Sequence, residues 1–188
     1  MVTAAVTLAW PLVGAVVAER VVELVVSARN ARALLARGGY EVGASHYPFM
    51  VVLHAGLLVG CAVEPLIAGR AVPPLARVFV VAVALAMALR WWAVVTLGER
   101  WTTRVVVLPG APRVTAGPYR ILPHPNYLAV VVEGLALPAA CAAWGTATVF
   151  AVANLALLAV RIRAEERALD EAAPVSASRP TRTVEVGA

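Results

Sequence analysis

Long stretches of this chain run with few charges or none, and they leave little freedom in what it can fold into. Residues 2–18 carry no charge, residues 47–63 carry none, and about 74–97 carry only Arg77 and Arg90, each near one end. Residues 127–160 carry the single charge Glu133. A helix needs about 20 apolar residues to cross a bilayer, so the first three runs each supply one span. The fourth is too long for one span and suits two short spans folded back near Pro138 to Gly145. The first helix continues past Glu19 and Arg20 toward Ser27, and the arginines near the ends of the third can snorkel to the interface. The expected fold is all-α: a polytopic integral membrane protein of about five transmembrane helices, the last two forming a helical hairpin.

Composition agrees. Of 188 residues, 61% are hydrophobic and 14% charged, with a mean hydropathy of +0.81. A soluble domain has about 25% charged residues, so too little charge is present to wet a globular surface. The net charge is +5, and every one of the 16 basic residues is Arg. These arginines lie between apolar runs and form no single basic face, so they read as topology signals, with no nucleic-acid partner expected. Arg29, Arg32 and Arg37 follow the first span. Arg100, Arg104, Arg113 and Arg120 follow the third, and Arg161, Arg163 and Arg167 follow the fifth. Only Arg70 and Arg77 follow the second. The positive-inside rule then predicts the N-terminus outside, and the long loop and C-terminus in the cytoplasm. No basic segment precedes the first run, which argues against a cleaved signal peptide. Residues 1–172 read as one transmembrane domain, and the Pro, Ser, Thr and Arg content of 173–188 predicts a disordered tail. No internal repeat supports a two-halved transporter. Cys61 and Cys141 lie in apolar runs and read as small hydrophobes.

The segment 98–126 has loop composition, with four arginines and Pro109, Pro112, Pro118, Pro123 and Pro125. Prolines flank His124 and hold it out of the helical region in a preset direction. Asn126 is placed to cap a helix starting at Tyr127, whose free N–H groups would suit a carboxylate or phosphate. A proline-rich interfacial elbow with His and Tyr at headgroup level explains the same residues. Glu133, about two turns into its span, is either functional or paired with an arginine of another span. Arg161 with Glu165, and Arg163 with Glu166, have the spacing of ordinary solvated pairs at a helix end. Glu19, Arg20 and Glu23 share that ambiguity. His46, His54 and His124 are too dispersed to predict a metal, and no P-loop, GxGxxG or HExxH pattern occurs.

The run Gly117-Pro118-Tyr119-Arg120, then His124-Pro125-Asn126-Tyr127, then Arg161 through Glu165-Glu166, resembles the isoprenylcysteine carboxyl methyltransferase family. The likeness covers roughly residues 90–169. Further pieces look like its bacterial branch, whose members are associated with methylating phenolic lipids and polyketides such as alkylpyrones: Ser27-Ala28-Arg29-Asn30, residues 41–54, and Arg90-Trp91-Trp92 through Trp101-Thr102. The resemblance implies an S-adenosylmethionine-dependent methyltransferase in the bacterial plasma membrane, taking a lipophilic substrate from the bilayer. It places Tyr119, His124, Pro125, Tyr127 and Glu165 in the cofactor-binding region, and Arg161 and Glu166 as the charged pair near the transferred methyl group. Glu133 is assigned weakly to the substrate side.

Two features complicate that assignment. Pro123 stands where most relatives have Arg before the His-Pro, so that contact is either missing or supplied by Arg120. Five residues along a helix also put Arg161 and Glu166 about 140° apart, so the helix is broken or the two face different parts of the site. Substrate chemistry separates two expectations within the family. A prenylcysteine carboxylate is already ionised and needs only orientation, which Arg161 could give. A phenol, with a pKa of about 10, is ionised in about one molecule per thousand at pH 7 and calls for a cationic stabiliser or a base, with Glu166 and His124 as candidates for the base. An NADPH-dependent membrane reductase, which would share the His-Pro-Asn-Tyr segment, and a non-catalytic membrane scaffold are the rivals from outside the family.

Overall fold

The computed structural model describes residues 2–172; the tail 173–188, for which composition predicts disorder, lies outside them. Five helices follow in order: α1 Val2–Ala36, α2 Tyr47–Ile67, α3 Ala76–Leu97, α4 Pro125–Ala140 and α5 Trp144–Glu171. Among the described residues α2, α3 and α5 are long and apolar enough to cross a membrane. Their outer faces carry exposed Phe49, Val52, Ile67, Val81, Val95 and Val152, an apolar surface suited to lipid and a liability in water. The chain is therefore a polytopic, all-α integral membrane protein. Helix α1, about 52 Å long, and α5, about 42 Å long, exceed the ~30 Å hydrocarbon core and project beyond it.

Helix α4 has 16 residues, about 24 Å, too short for a full crossing, and most of it is buried between α3 and α5. Its small residues Ala129, Gly134 and Ala136 allow the close backbone approach typical of helix packing in membranes. At Gly134 the ring of Phe150 from α5 occupies the space a Cβ would take. The hairpin expected near Pro138 forms there: Ala142 turns the chain with φ 60°, and Ala143 N–H donates to Pro138 O at 2.8 Å. Cys61 and Cys141 are buried in the apolar core with Val16, Leu57 and Leu137.

The start of α5 is held from across the bundle. The Glu64 carboxylate of α2 accepts from Gly145 N–H at 2.9 Å, and from Thr146 N–H at 2.7 Å and its hydroxyl at 2.8 Å. Arg70 donates both to Glu64 at 2.7 Å and to Ala142 O at 3.0 Å. A carboxylate here satisfies free N–H groups and complements the positive end of the helix dipole. Glu64→Ala is expected to cost about 0.5–2 kcal/mol, the usual loss for a removed N-terminal cap, read as a lower unfolding midpoint in detergent. Arg70→Ala, which leaves the Glu64 bonds to α5 intact, is expected to cost less.

The segment 98–126 holds more order than loop composition predicts. Val105–Val107 forms a strand, β2, that pairs antiparallel with β1, Tyr40–Val42, in the register Tyr40 to Val107 and Val42 to Val105. Val105 and Val107 pack on Ala168 near the end of α5, so this small ribbon closes one end of the bundle. Three consecutive valines and Leu108 stand between Arg104 and Pro109, a β-branched run that suits a short strand. The partner strand lies more than 60 residues away, and no local pattern announces that pairing.

Candidate active site

Residues of α1 fix the segment that follows α3. Asn30 Nδ2 donates to Trp101 O at 2.8 Å and to Gly98 O at 3.1 Å. Ser27 Oγ accepts from Thr103 N–H at 2.8 Å. These bonds explain why a helix as polar as the end of α1 is needed, and they seat Trp101 with only 3% of its surface exposed. On the far side of the segment, Gly117 (φ 54°) opens the single turn Gly117–Arg120, and a Cβ there would overlap the Thr96 side chain.

Two cavities meet where this segment crosses the bundle. One, about 190 Å³, is lined by charged and polar side chains that include Arg104, Arg113, Tyr119, His124, Glu165 and Glu166. The other, about 240 Å³, lies between α1 and α2 and is lined largely by apolar groups such as Leu24, Met50, Val51, Leu58 and Val130. Trp101, Asn126, Tyr127 and Arg161 line both. The Trp101 indole N–H and Asn126 Oδ1 are buried there with no hydrogen-bond partner among the described residues. Buried polar atoms left unpaired are uncommon and mark a place where something polar is accommodated.

Arg161 is 5% exposed and anchors the junction. Its Nη2 donates to Thr103 O at 2.7 Å, its Nε to the Tyr127 hydroxyl at 2.9 Å, and its Nη1 approaches Met50 Sδ at 3.3 Å. The Tyr127 hydroxyl in turn donates to Glu165. Glu166 meets His124 Nε2 at 3.1 Å and two guanidinium nitrogens of Arg113 at 3.0 Å. His124 stacks on the Tyr127 ring with centroids 5.2 Å apart. Helix α5 is unbroken through this region, so Arg161 and Glu166 face different parts of one site, Arg161 toward the junction and Glu166 toward the polar cavity.

Charge sets the electrostatics of the outer wall. Glu166 and Asp170 hold the Arg113 guanidinium above its usual pKa, chiefly through the Glu166 hydrogen bond. Burial, aided by the Glu165 carboxylate, pushes the Tyr119 phenol up to about 12, so it stays protonated at any physiological pH. His46, before α2, is pushed down by burial and by Arg161, which favours its neutral form.

Several sequence expectations change here. Asn126 does not cap α4: the helix begins two residues earlier than expected, at Pro125, whose missing N–H suits the first turn, and Asn126, which lines both cavities, keeps its Oδ1 unpaired. Arg120 is exposed and does not line the polar cavity, so it does not stand in for the arginine absent at position 123. The arginines on that cavity are Arg100, Arg104, Arg113 and Arg161. Glu133 lines neither cavity. It is 4% exposed and paired with Arg90 Nη2 at 2.6 Å and Arg20 Nη2 at 3.3 Å, while Arg20 also meets Glu23 at 2.6 Å and Glu19 at 2.9 Å. Of the two readings open for Glu133, pairing with arginines of other helices is the one the geometry carries. Trp101 and Thr103 were missed as site residues because their positions depend on contacts with α1 made some 70 residues away.

Comparison with known proteins adds the family. The model of the isoprenylcysteine carboxyl methyltransferase (ICMT) family matches residues 78–171. An uncharacterized protein, YpbQ, of Bacillus subtilis (strain 168) is 35% identical over 163 residues, covering 86% of this chain and 96% of its own. The chain belongs to the isoprenylcysteine carboxyl methyltransferase family. An uncharacterized protein of Haemophilus influenzae is 26% identical over 162 residues, 86% of this chain and 94% of its own. No solved structure matches. Membership in the ICMT family makes the chain a membrane methyltransferase, and the matched segment runs from α3 to the end of α5, through most of the polar cavity.

Proposed function

We propose that this protein transfers a methyl group from S-adenosylmethionine to an oxygen of a lipophilic acceptor, such as a phenolic lipid or polyketide. The observation that carries this reading is the meeting of a polar and an apolar cavity on Trp101, Asn126, Tyr127 and Arg161. A polar methyl donor and an amphiphilic acceptor need separate surroundings and one shared wall, and the reacting atoms must sit in line across it. S-adenosylmethionine supplies a methyl group activated on a sulfonium sulfur.

The residues present fit such a donor. It carries a carboxylate and an ammonium group, and the polar cavity offers arginines beside the carboxylates of Glu165 and Glu166, with the unpaired Trp101 N–H and Asn126 Oδ1 as further partners. Tyr119, His124, Pro125 and Tyr127 form its wall against α4. Arg161, held on three sides, points its charge at the junction, where it orients an anionic oxygen and stabilises a phenolate as it forms. Neither Glu166 nor His124 lines the apolar cavity, which weakens both as a base for the acceptor. The Tyr127 hydroxyl does reach the junction, and it can pass the acceptor's proton to Glu165 while receiving the hydrogen bond from Arg161.

The orientation follows from charge. The ends of α1 and α5 and the segment after α3 gather most of the arginines at the polar-cavity end, and the positive-inside rule puts that end in the cytoplasm of a bacterial cell, with the N-terminus outside. The test is equilibrium binding of S-adenosylmethionine and of NADPH to the protein purified in detergent. Binding of S-adenosylmethionine alone is expected. His124→Ala should weaken it about tenfold or more, because the Glu166 contact and the stack on Tyr127 are both lost, with a small change in the unfolding midpoint. Binding of NADPH in its place would favour the reductase, and binding of neither would favour a scaffold.

A further inference from the structure

The apolar cavity has a charged floor that methyl transfer does not account for. Arg20, Glu23 and Arg90 line it, together with His54. Glu23 precedes Ser27 by one turn of α1, and His54 follows Met50 by one turn of α2, about 6 Å in each case. One aromatic ring bridges such a distance.

This floor is incompletely satisfied. Glu23 is 2% exposed, and its Oε1 has no hydrogen-bond partner among the described residues; the same holds for Arg90 Nε, which stands 3.5 Å from it. Three carboxylates, Glu19, Glu23 and Glu133, share two guanidinium groups, those of Arg20 and Arg90. The cluster therefore holds one more carboxylate than guanidinium, and it leaves unpaired both acceptors, Glu19 Oε1 and Glu23 Oε1, and donors, Arg20 Nε and Arg90 Nε. His54 adds one further acceptor: its Nδ1 donates to Met50 O at 2.8 Å, which leaves Nε2 of the neutral ring as an acceptor. Buried polar atoms left unpaired are costly, and the group that suits an unpaired acceptor and an unpaired donor side by side, Glu23 Oε1 and Arg90 Nε, is a neutral hydroxyl, which can donate to the first and accept from the second.

We propose that Glu23, with His54 on the wall of the same cavity, forms a second polar subsite that accepts a hydrogen bond from a hydroxyl of the acceptor's head group. Resting on the acceptor chemistry proposed above, this makes the preferred substrate an amphiphile with two ring oxygens, one methylated at Arg161 and the other held at Glu23. Its alkyl tail leaves sideways between α1 and α2, past Leu24 and Val51, both about half exposed on the outer surface.

The experiment compares an alkylresorcinol with the matching alkylphenol that lacks one hydroxyl, measured by equilibrium binding to the detergent-purified protein and, separately, by methyl transfer. The alkylresorcinol is expected to bind roughly tenfold tighter or better, since a site built to bond a hydroxyl rejects the analogue without it. In Glu23→Gln, which removes the charge that strengthens the bond, the preference should shrink severalfold with donor affinity unchanged. Equal binding of the two ligands by the unaltered protein overturns the subsite and needs no variant to do so. A full preference retained in Glu23→Gln also overturns it, as does an equal loss of turnover with both ligands. If neither ligand is methylated yet the binding preference and its loss in Glu23→Gln are seen, the subsite stands and the proposed reaction falls.

Discussion

Arg161→Ala is expected to lower methyl-transfer turnover about 10²–10³-fold, the usual loss when one preorganised donor to a developing oxyanion is removed. The side chain is buried, touches three elements of the site and lines both cavities, so nothing nearby replaces it. Arg161→Lys should recover little. A single ammonium cannot hold Thr103 O and the Tyr127 hydroxyl together with the geometry of a guanidinium. Turnover measured at saturating donor and acceptor checks this, with donor affinity as the companion readout. A loss confined to donor binding would move Arg161 from the reacting oxygen to the donor's side of the junction.

The second large effect is on stability. Arg90 is 4% exposed, inside the bundle, and pairs with Glu133 and Glu23. Arg90→Met leaves three buried carboxylates with Arg20 alone, and breaking a buried pair in this way costs about 3–5 kcal/mol. For a chain of this size that lowers the unfolding midpoint by on the order of 10 °C. Glu133→Gln leaves two carboxylates with two guanidinium groups, so its cost should be clearly smaller. Midpoints of the two variants in the same detergent test that order. A Glu133→Gln protein with wild-type midpoint and donor affinity but no activity would return Glu133 to the substrate side.

Much of this architecture was legible in the sequence because hydrocarbon thickness imposes a length and a lack of charge that local reading detects. The start of α2, the end of α3 and the turn after Pro138 follow from that alone, while α2 runs on past Glu64 to Ile67. The β1–β2 ribbon was not legible, since strands of three residues carry little periodicity and their pairing joins distant segments. The site divides in the same way. His124 and Tyr127 stand in a stretch whose prolines and polar groups are conspicuous between apolar runs. Trp101 becomes a site candidate, and Asn126 and Glu23 become more than a helix cap and an ambiguous charge, only once unpaired atoms and shared cavity walls are visible, which no spacing rule supplies.

The central claim is that a polar donor and a lipophilic acceptor meet at Arg161. Its most direct test is incubation of the purified protein with methyl-labelled S-adenosylmethionine and two acceptor pools, long-chain alkylresorcinols or alkylpyrones in one and a prenylcysteine analogue in the other. Label is expected in an ether of the phenolic pool. Label in the prenylcysteine ester alone would contradict the phenolic acceptor and reduce the role of Arg161 to orienting a carboxylate that is already ionised.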